Sequence, residues 1–315
     1  MMRRALLTGF VGITLALGTA SAAHAQLGGL LKRLAPKVEL PNLLEGEKPV
    51  STSIEDARYE DPNRDGFMPG EPALLTSLPR DDDGGFILAP GYFIMEAQSY
   101  CLKAGTYGPT SGDGYLYAPL KGSEQDAVET ILRASLDHPD IAQRDIQVLL
   151  WAIIARAKFE DLPRDKQITA ARLLSQRQLA SLNRNALDIV TNRQLTSLIG
   201  GVPRPIAQVL QAEADMRRML SGGSSFAELE RVAVLTGAAP MGEGSRDVPA
   251  MRWSRHPDGY WVRYDASSYS HTRVEIYVED RSAAVGETYD PWKSVAVPVN
   301  TSKQRLGQSA RVYGT

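Results

Sequence analysis

Residues 91–102 have the sequence GYFIMEAQSYCL, a run rich in aromatic and large apolar side chains. Residues 86–88 precede it, and after a loop rich in Gly, Pro, Ser and Asp the short aromatic run of residues 115–118 follows. Apolar and aromatic runs bounded by turn residues predict β-strands. We therefore predict a β segment over residues 86–122, and it contains the single cysteine of the chain, Cys101.

The next block, residues 123–237, has helical periodicity throughout. Its most apolar part, from about Asp140 to Leu162, includes DIQVLLWAI at residues 145–153 and is apolar on nearly every side. A helix of that kind is typical of the centre of a bundle. Ser123 and Asp126 have the spacing of a capping box. Amphipathic helices are predicted near residues 164–177, 183–199, 205–220 and 225–236.

Alternating patterns return in residues 248–315. Residues 260–264 and 272–278 have the period-2 alternation of strands, and residues 295–298 and 310–313 are candidate edge strands. The order of a β segment, a helical block and a second β segment predicts an α+β fold. In the predicted arrangement, an all-helical subdomain is inserted between two parts of one sheet.

The N-terminus predicts export. Arg3 and Arg4 are followed by an apolar stretch and by Ala23-His24-Ala25, the order of a secretory signal peptide with its cleavage motif. Residues 1–25 are therefore predicted to be removed, and the mature protein to be periplasmic, cell-surface or secreted. Residues 26–85, rich in Pro, Asp, Glu and Gly after two short leucine clusters, are predicted to form an irregular tether.

Composition argues against several classes of function. The net charge of −2 becomes −4 without the two arginines of the signal peptide, so no basic footprint for nucleic acid is present. No later segment is apolar for long enough to predict a transmembrane span. One cysteine and four histidines give no zinc spacing. Nucleotide-binding glycine motifs are absent from the sequence, and we expect neither a metal nor a cofactor.

Two residues, Cys101 and Gln147, are unusual in their sequence context. Cys101 is a lone cysteine in a chain predicted to enter an oxidising compartment, where an unpaired thiol is unusual. Gln147 lies in an otherwise apolar helical run, one helical turn before Trp151, so the two share a face that should be buried. A buried amide without partners costs about 1–3 kcal/mol.

Together these residues resemble the thioester domains of bacterial surface adhesins. The resemblance covers an aromatic–Cys–apolar motif, Tyr100-Cys101-Leu102, and a Gln-x-x-x-Trp helix motif from Gln147 to Trp151. It implies that Cys101 and Gln147 form an internal thioester, and that Tyr100, Leu102 and Trp151 are flanking pocket residues that exclude water. The implied function is cell adhesion by covalent capture of an amine or other nucleophile on a protein or glycan target. Such a protein reacts once, without turnover, and needs no cofactor.

Other functions remain open at this point. Cys101 and Gln147 are equally explained as packing residues of a non-catalytic periplasmic or cell-envelope interaction protein. The order Cys101, His256 or His271, Asn300 would also suit a cell-envelope cysteine hydrolase, although no local motif of those enzymes is present. Finally, the aromatic strands around Trp253 and Trp261 would suit glycan or protein contact if one of their faces were exposed.

Overall fold

The computed structural model describes residues 47–314, except for the side chain of Leu198. The predicted signal peptide, the first part of the predicted tether and Thr315 lie outside the described residues. Within residues 47–314 the chain is a mixed α+β structure, as predicted, with seven helices and a large, mainly antiparallel sheet.

Every α-helix of the described part follows β5 and precedes β6 in the chain. The helices are α1 Gln125–Ala134, α2 Gln143–Ile154, α3 Arg164–Leu173, α4 Gln176–Asn185, α5 Asn192–Ile199, α6 Arg204–Ser221 and α7 Phe226–Ala233. The strands are β1 Ala73–Leu74, β2 Phe86–Ile87, β3 Gly91–Cys101, β4 Thr106–Tyr107, β5 Tyr115–Pro119, β6 Val234–Leu235, β7 Ser254–Arg255, β8 Trp261–Ser268, β9 His271–Val278, β10 Thr288–Tyr289, β11 Ser294–Pro298 and β12 Leu306–Val312.

The strand β3 lies in the middle of the main sheet, whose order is β5-β11-β12-β3-β9-β8-β7, with β1 pairing parallel to β3. The two edges of this sheet come close together, because the Tyr117 backbone N–H of β5 donates to Ser254 Oγ of β7 at 3.3 Å. The sheet therefore curls almost into a barrel, an arrangement that leaves few backbone groups of its edges unpaired.

The pairing around β3 changes along its length. With β9 it runs from Gly91 opposite Val278 to Gln98 opposite His271. The last three residues of β3 lie beyond that ladder, and Cys101 pairs only with Leu306 of β12. The end of β3 thus lacks a strand on one side, and α2 packs there against it.

Helix α2 is buried on nearly all sides, as its sequence predicts, but it ends at Ile154 and not near Leu162. Arg156 adopts a left-handed conformation, with φ 52°. The N–H groups of Arg156 and Ala157 donate to the carbonyls of Ile153 and Ala152 at 3.0 and 2.9 Å, which is a Schellman motif. Because an arginine stands where glycine is usual, this end of the helix has no local sequence signal.

Two further helix predictions were wrong. Helix α1 has Glu124 at its N-cap, without a side-chain cap, so Ser123 and Asp126 form no capping box. The helix predicted over residues 183–199 is two helices, α4 and α5, because the chain between them is extended. Capping boxes begin both, at Ser175 and Thr191.

The described part of the predicted tether lies against the rest of the structure. Residues 47–85 contain β1 and three short 3-10 helices, and Val50, Ile54 and Leu75 are buried in the main core. The aromatic strands are covered on both faces, since Trp253, Tyr260, Trp261 and Tyr264 are all buried. Trp253 and Trp261, around which a glycan contact was considered, therefore have no exposed ring face.

His256 makes the stability of this sheet edge dependent on pH. Its ring lies between Tyr117 and Tyr260, at centroid distances of 4.6 and 4.3 Å. Burial lowers its pKa from 6.5 to about 4, against the opposing effect of Asp258. Because the folded-state pKa is depressed, His256 stabilises the fold above about pH 6.5, and that contribution is lost as the pH falls towards 4.

We therefore expect the wild-type free energy of unfolding to fall by about 1–3 kcal/mol more than that of His256→Gln between pH 6.5 and 4. Urea denaturation at several pH values measures this difference. His138→Gln, which changes a histidine that contacts Arg172 instead, is the control and should follow the wild type. An equal loss of unfolding free energy between pH 6.5 and 4 in wild type and His256→Gln would contradict this role of His256.

Candidate functional site

Cys101 and Gln147 are in direct contact. The Cys101 backbone N–H donates to Gln147 Oε1 at 2.8 Å, and Gln147 Nε2 donates to the Cys101 carbonyl at 3.0 Å. Both residues are buried. The carboxamide of Gln147 therefore lies flat against the backbone of the residue that carries the sulfur. Buried backbone groups need such partners, and here a side chain supplies both.

A second glutamine, one helical turn earlier, makes a similar contact. Gln143 Nε2 lies 3.0 Å from the Ser99 carbonyl and 2.7 Å from the Ser270 carbonyl. Residues four apart on a helix lie on one face. Gln143, Gln147 and Trp151 thus form one face of α2 that follows the unpaired end of β3. The two glutamines occupy the place that a neighbouring strand would have taken.

The side chain of Cys101 is completely buried and has polar neighbours. Its Sγ is 3.4 Å from the Lys103 carbonyl oxygen. Burial raises the pKa of the thiol to about 11, and the nearby polar groups of Trp151, Lys103 and Gln304 act in the opposite direction. The thiol is therefore protonated at neutral pH, and it is placed to donate to the Lys103 carbonyl.

Trp151 lies close to this sulfur and acts to lower the pKa of the thiol. Its side chain is completely buried, and its indole Nε1 has no hydrogen-bond partner in the part of the chain that the structure describes. The same is true of Nε1 of Trp261 and of the hydroxyls of Tyr115, Tyr264 and Tyr289, so the unpartnered donor does not by itself mark a reactive centre.

Gln304 belongs to the site and was not predicted from sequence. Its Nε2 donates to the carbonyls of Thr106 and Ala233 at 2.9 and 3.0 Å, whereas its Oε1 is buried without a partner among the described residues. It lies two residues before Leu306, the partner of Cys101 in β12. Only strand pairing brings it to the sulfur, so no local sequence signal could have identified it.

The predicted flanking residues Tyr100 and Leu102 are buried but have other neighbours. Tyr100 Oη donates to Gln98 Oε1 at 3.1 Å. Leu102 packs over Gly307 beside Leu132 of α1, since a Cβ at Gly307 would lie 3.0 Å from Leu102 Cδ1. Side chains alternate across a strand. Tyr100 and Leu102 therefore belong to the core around Cys101, and Trp151 is the aromatic residue at the sulfur itself.

The residues suggested for a hydrolase do not meet at Cys101. His271 bonds to Glu96 and Ser267 at 2.7 and 2.8 Å, and His256 lies between two tyrosines. Asn300 accepts from the Ser302 backbone at 3.0 Å. A catalytic thiolate needs a neighbouring base and a lowered pKa, whereas burial raises the pKa of this thiol. Neither the positions of the two histidines and Asn300 nor the raised pKa of the thiol favours a cysteine hydrolase.

Residues 47–314 contain no group of three or more His, Cys, Asp or Glu side chains placed to hold a metal ion. No helix in the same range is long and apolar enough to cross a membrane. Comparisons with protein-family models, curated proteins and solved structures find no match to this chain.

The two hydrogen bonds of Gln147 lead to a stability prediction. Gln147→Ala leaves the buried N–H and C=O of Cys101 without partners, so we expect a loss of about 2–4 kcal/mol in the free energy of unfolding. Gln125→Ala, which removes a glutamine bonded only to Glu129, should cost less than about 0.5 kcal/mol. Urea denaturation of the reduced proteins measures both, and equal small effects would contradict the structural role of Gln147.

Proposed function

We propose that the mature protein is an exported, adhesin-like protein that forms an internal thioester between Cys101 and Gln147. The thioester would capture a nucleophile on a protein or glycan target. The single observation that carries this proposal is the pair of hydrogen bonds, 2.8 and 3.0 Å, that hold the Gln147 carboxamide against Cys101. These bonds keep the carboxamide at the residue that carries the sulfur, which supports the proposal because a held acyl group has less orientational freedom to lose in the reaction.

The contacts suit the first chemical step. Sγ of Cys101 attacks Cδ of Gln147, the Cδ–Nε2 bond breaks, and the thiol proton leaves with Nε2 as ammonia. During the attack negative charge develops on Gln147 Oε1, which already accepts the Cys101 N–H. A fixed backbone donor at a developing oxyanion lowers the barrier of acyl transfer. No oxidant, metal or cofactor enters this balance.

The second step is capture. An amine of the target attacks Cδ, the C–S bond breaks, and the sulfur regains a proton as the amide forms on Gln147. A thiol of high pKa is a poor leaving group, and the buried Nε1 of Trp151, which has no partner among the described residues, is the donor available to the departing sulfur. The reaction happens once per molecule and gives a covalent bond between protein and target.

The proposed thioester also requires a site from which water is excluded. A thioester hydrolyses when wet, so its site must be dry until the target arrives. Cys101 and Trp151 are completely buried, and Gln147 is 2% exposed. This burial supports a long-lived bond in the absence of a target.

The finer arrangement of the chain follows from the same proposal. The helical block between β5 and β6 is an inserted subdomain that brings Gln147 to the sheet, and the sheet supplies Cys101. Residues 26–85 form the N-terminal segment of the mature chain in this proposal, and their described part, residues 47–85, lies against the domain. Export by the predicted signal peptide places the protein in the periplasm, on the cell surface or outside the cell.

One observation favours a second candidate, a non-catalytic interaction or structural protein of the cell envelope. The Gln147 carboxamide satisfies both buried backbone groups of Cys101 without any chemistry. A polar network that completes a core is a sufficient reason for a buried glutamine. The two functions make different predictions for the mass of the protein.

If the thioester forms, the intact mass of the purified mature protein lies about 17 Da below that of its sequence, because ammonia has been lost. Methylamine then raises the mass and frees the thiol. Electrospray mass spectrometry of the native protein measures both changes.

Cys101→Ser and Gln147→Glu should remove the deficit, whereas Gln143→Ala, on the same face of α2, should retain it. A wild-type protein at full mass, with one thiol that reacts on unfolding, would leave the structural function in place of the thioester.

A further inference from the structure

A cavity of about 590 Å³ lies on the face of the main sheet that points away from the main core. Tyr92 and Ile94 of β3 form part of its floor, and both belong to a small aromatic cluster separate from that core. Side chains alternate across a strand, so these two residues face away from Phe93 and Cys101, which lie in the main core. The cavity is therefore on the opposite side of β3 from the sulfur of Cys101.

The floor of this cavity holds a buried ion pair. Arg263 of β8 and Glu275 of β9 are 5% and 3% exposed, and Arg263 Nε donates to Glu275 Oε2 at 2.7 Å. The Tyr92 hydroxyl donates to the same oxygen. The other carboxylate oxygen, Oε1, has no hydrogen-bond partner within residues 47–314. Because a nearly buried carboxylate oxygen without a donor costs free energy, the cavity presents an acceptor that a ligand can satisfy.

The guanidinium of Arg263 is already engaged on several sides. Its Nη1 lies 3.4 Å from the Phe67 carbonyl oxygen, and its Nη2 lies 3.3 Å from the Tyr92 hydroxyl. Its carbon Cζ lies over the Trp253 ring, 4.3 Å from the centroid. A guanidinium held in this way fixes the Glu275 carboxylate and has little donor capacity left for an anionic ligand.

The charges of the walls favour a cation. Asp65 pairs with Arg252 at 2.6 Å, and Arg273 pairs with Glu96 at 3.1 Å. Glu71, which also lines the cavity, has no ion pair in the described part of the chain. Since the ion pair on the floor is neutral as a unit, the walls carry one uncompensated negative charge. A cleft lined by one sign of charge concentrates ligands of the opposite sign.

The remaining walls are largely apolar, and they include Met68, Pro72, Pro249 and Met251. Met251 has a left-handed backbone, with φ 61°, although it is not a glycine. Such conformations cost free energy and are concentrated at ligand-contacting sites. Small-molecule sites typically combine apolar walls with a few convergent polar groups in a volume of about 300–1,000 Å³. The volume and lining of this cavity match that description.

We propose that this cavity binds a small organic cation whose N–H groups donate to Glu275 Oε1 and whose apolar part packs against Ile94 and Met251. Ammonium, amidinium and guanidinium groups carry both the charge and the donors that the carboxylate needs. Glu71 at the rim adds attraction for the same charge. The binding is non-covalent and takes place on the opposite side of β3 from Cys101, so it does not depend on the proposed thioester.

Benzamidine, benzamide and benzoate test this proposal, because they are similar in shape and differ in charge. At neutral pH benzamidine is a cation, benzamide is neutral and benzoate is an anion. Isothermal titration calorimetry of the mature protein should show saturable binding of benzamidine, at least about tenfold tighter than that of either other probe. The protonated amidine is a poor nucleophile, so the titration gives the same result with or without a thioester.

Two variants locate the binding. Glu275→Gln should weaken benzamidine binding at least about tenfold. Because that change also leaves Arg263 without its partner, the exposed Glu71→Gln is the second variant and should weaken binding about twofold to threefold at low salt. Glu55→Gln, at an exposed glutamate that does not line the cavity, is the matched control and should bind as wild type does.

Three results would overturn the proposal. One is the absence of measurable benzamidine binding to wild type. Another is an affinity for benzamide or benzoate equal to or higher than that for benzamidine. The third is an unchanged benzamidine affinity in Glu71→Gln or in a folded Glu275→Gln. The mass of the protein decides the thioester separately, so failure of either proposal leaves the other standing.

Discussion

The end of β3 is the constraint on which the site depends. Its last residues extend beyond β9, so buried backbone groups at Ser99 and Cys101 lack a strand on one side. Two glutamines of α2 take that place, one bonded to the carbonyl of Ser99 and the other to both backbone groups of Cys101. Because unpaired buried backbone groups are costly, the helix must dock with these side chains in register.

This docking completes β3 with side-chain hydrogen bonds. The bonds also hold the Gln147 carboxamide against the backbone of Cys101, and both residues are buried. In the proposed thioester chemistry, the Cys101 N–H that donates to the resting amide would also stabilise the charge that develops on Gln147 Oε1.

The sequence predicted the parts of this structure that have a local signal. Alternation marked the strands, and the apolar run around residues 145–153 marked the central helix. Cys101 and Gln147 stood out because each is unusual in its own segment. Gln304 did not, since only the pairing of β12 with β3 brings its segment close to Cys101. The end of α2 was missed because Arg156 adopts a conformation that usually needs glycine.

The most direct test of the account is a high-resolution crystal structure of the mature protein, without exposure to amines. We predict continuous electron density between Cys101 Sγ and Gln147 Cδ, with no density for Nε2 and with the acyl oxygen still facing the Cys101 N–H. Separate density for an intact carboxamide, with a free thiol beside it in freshly purified protein, would contradict the thioester and leave Gln147 as the structural partner of β3.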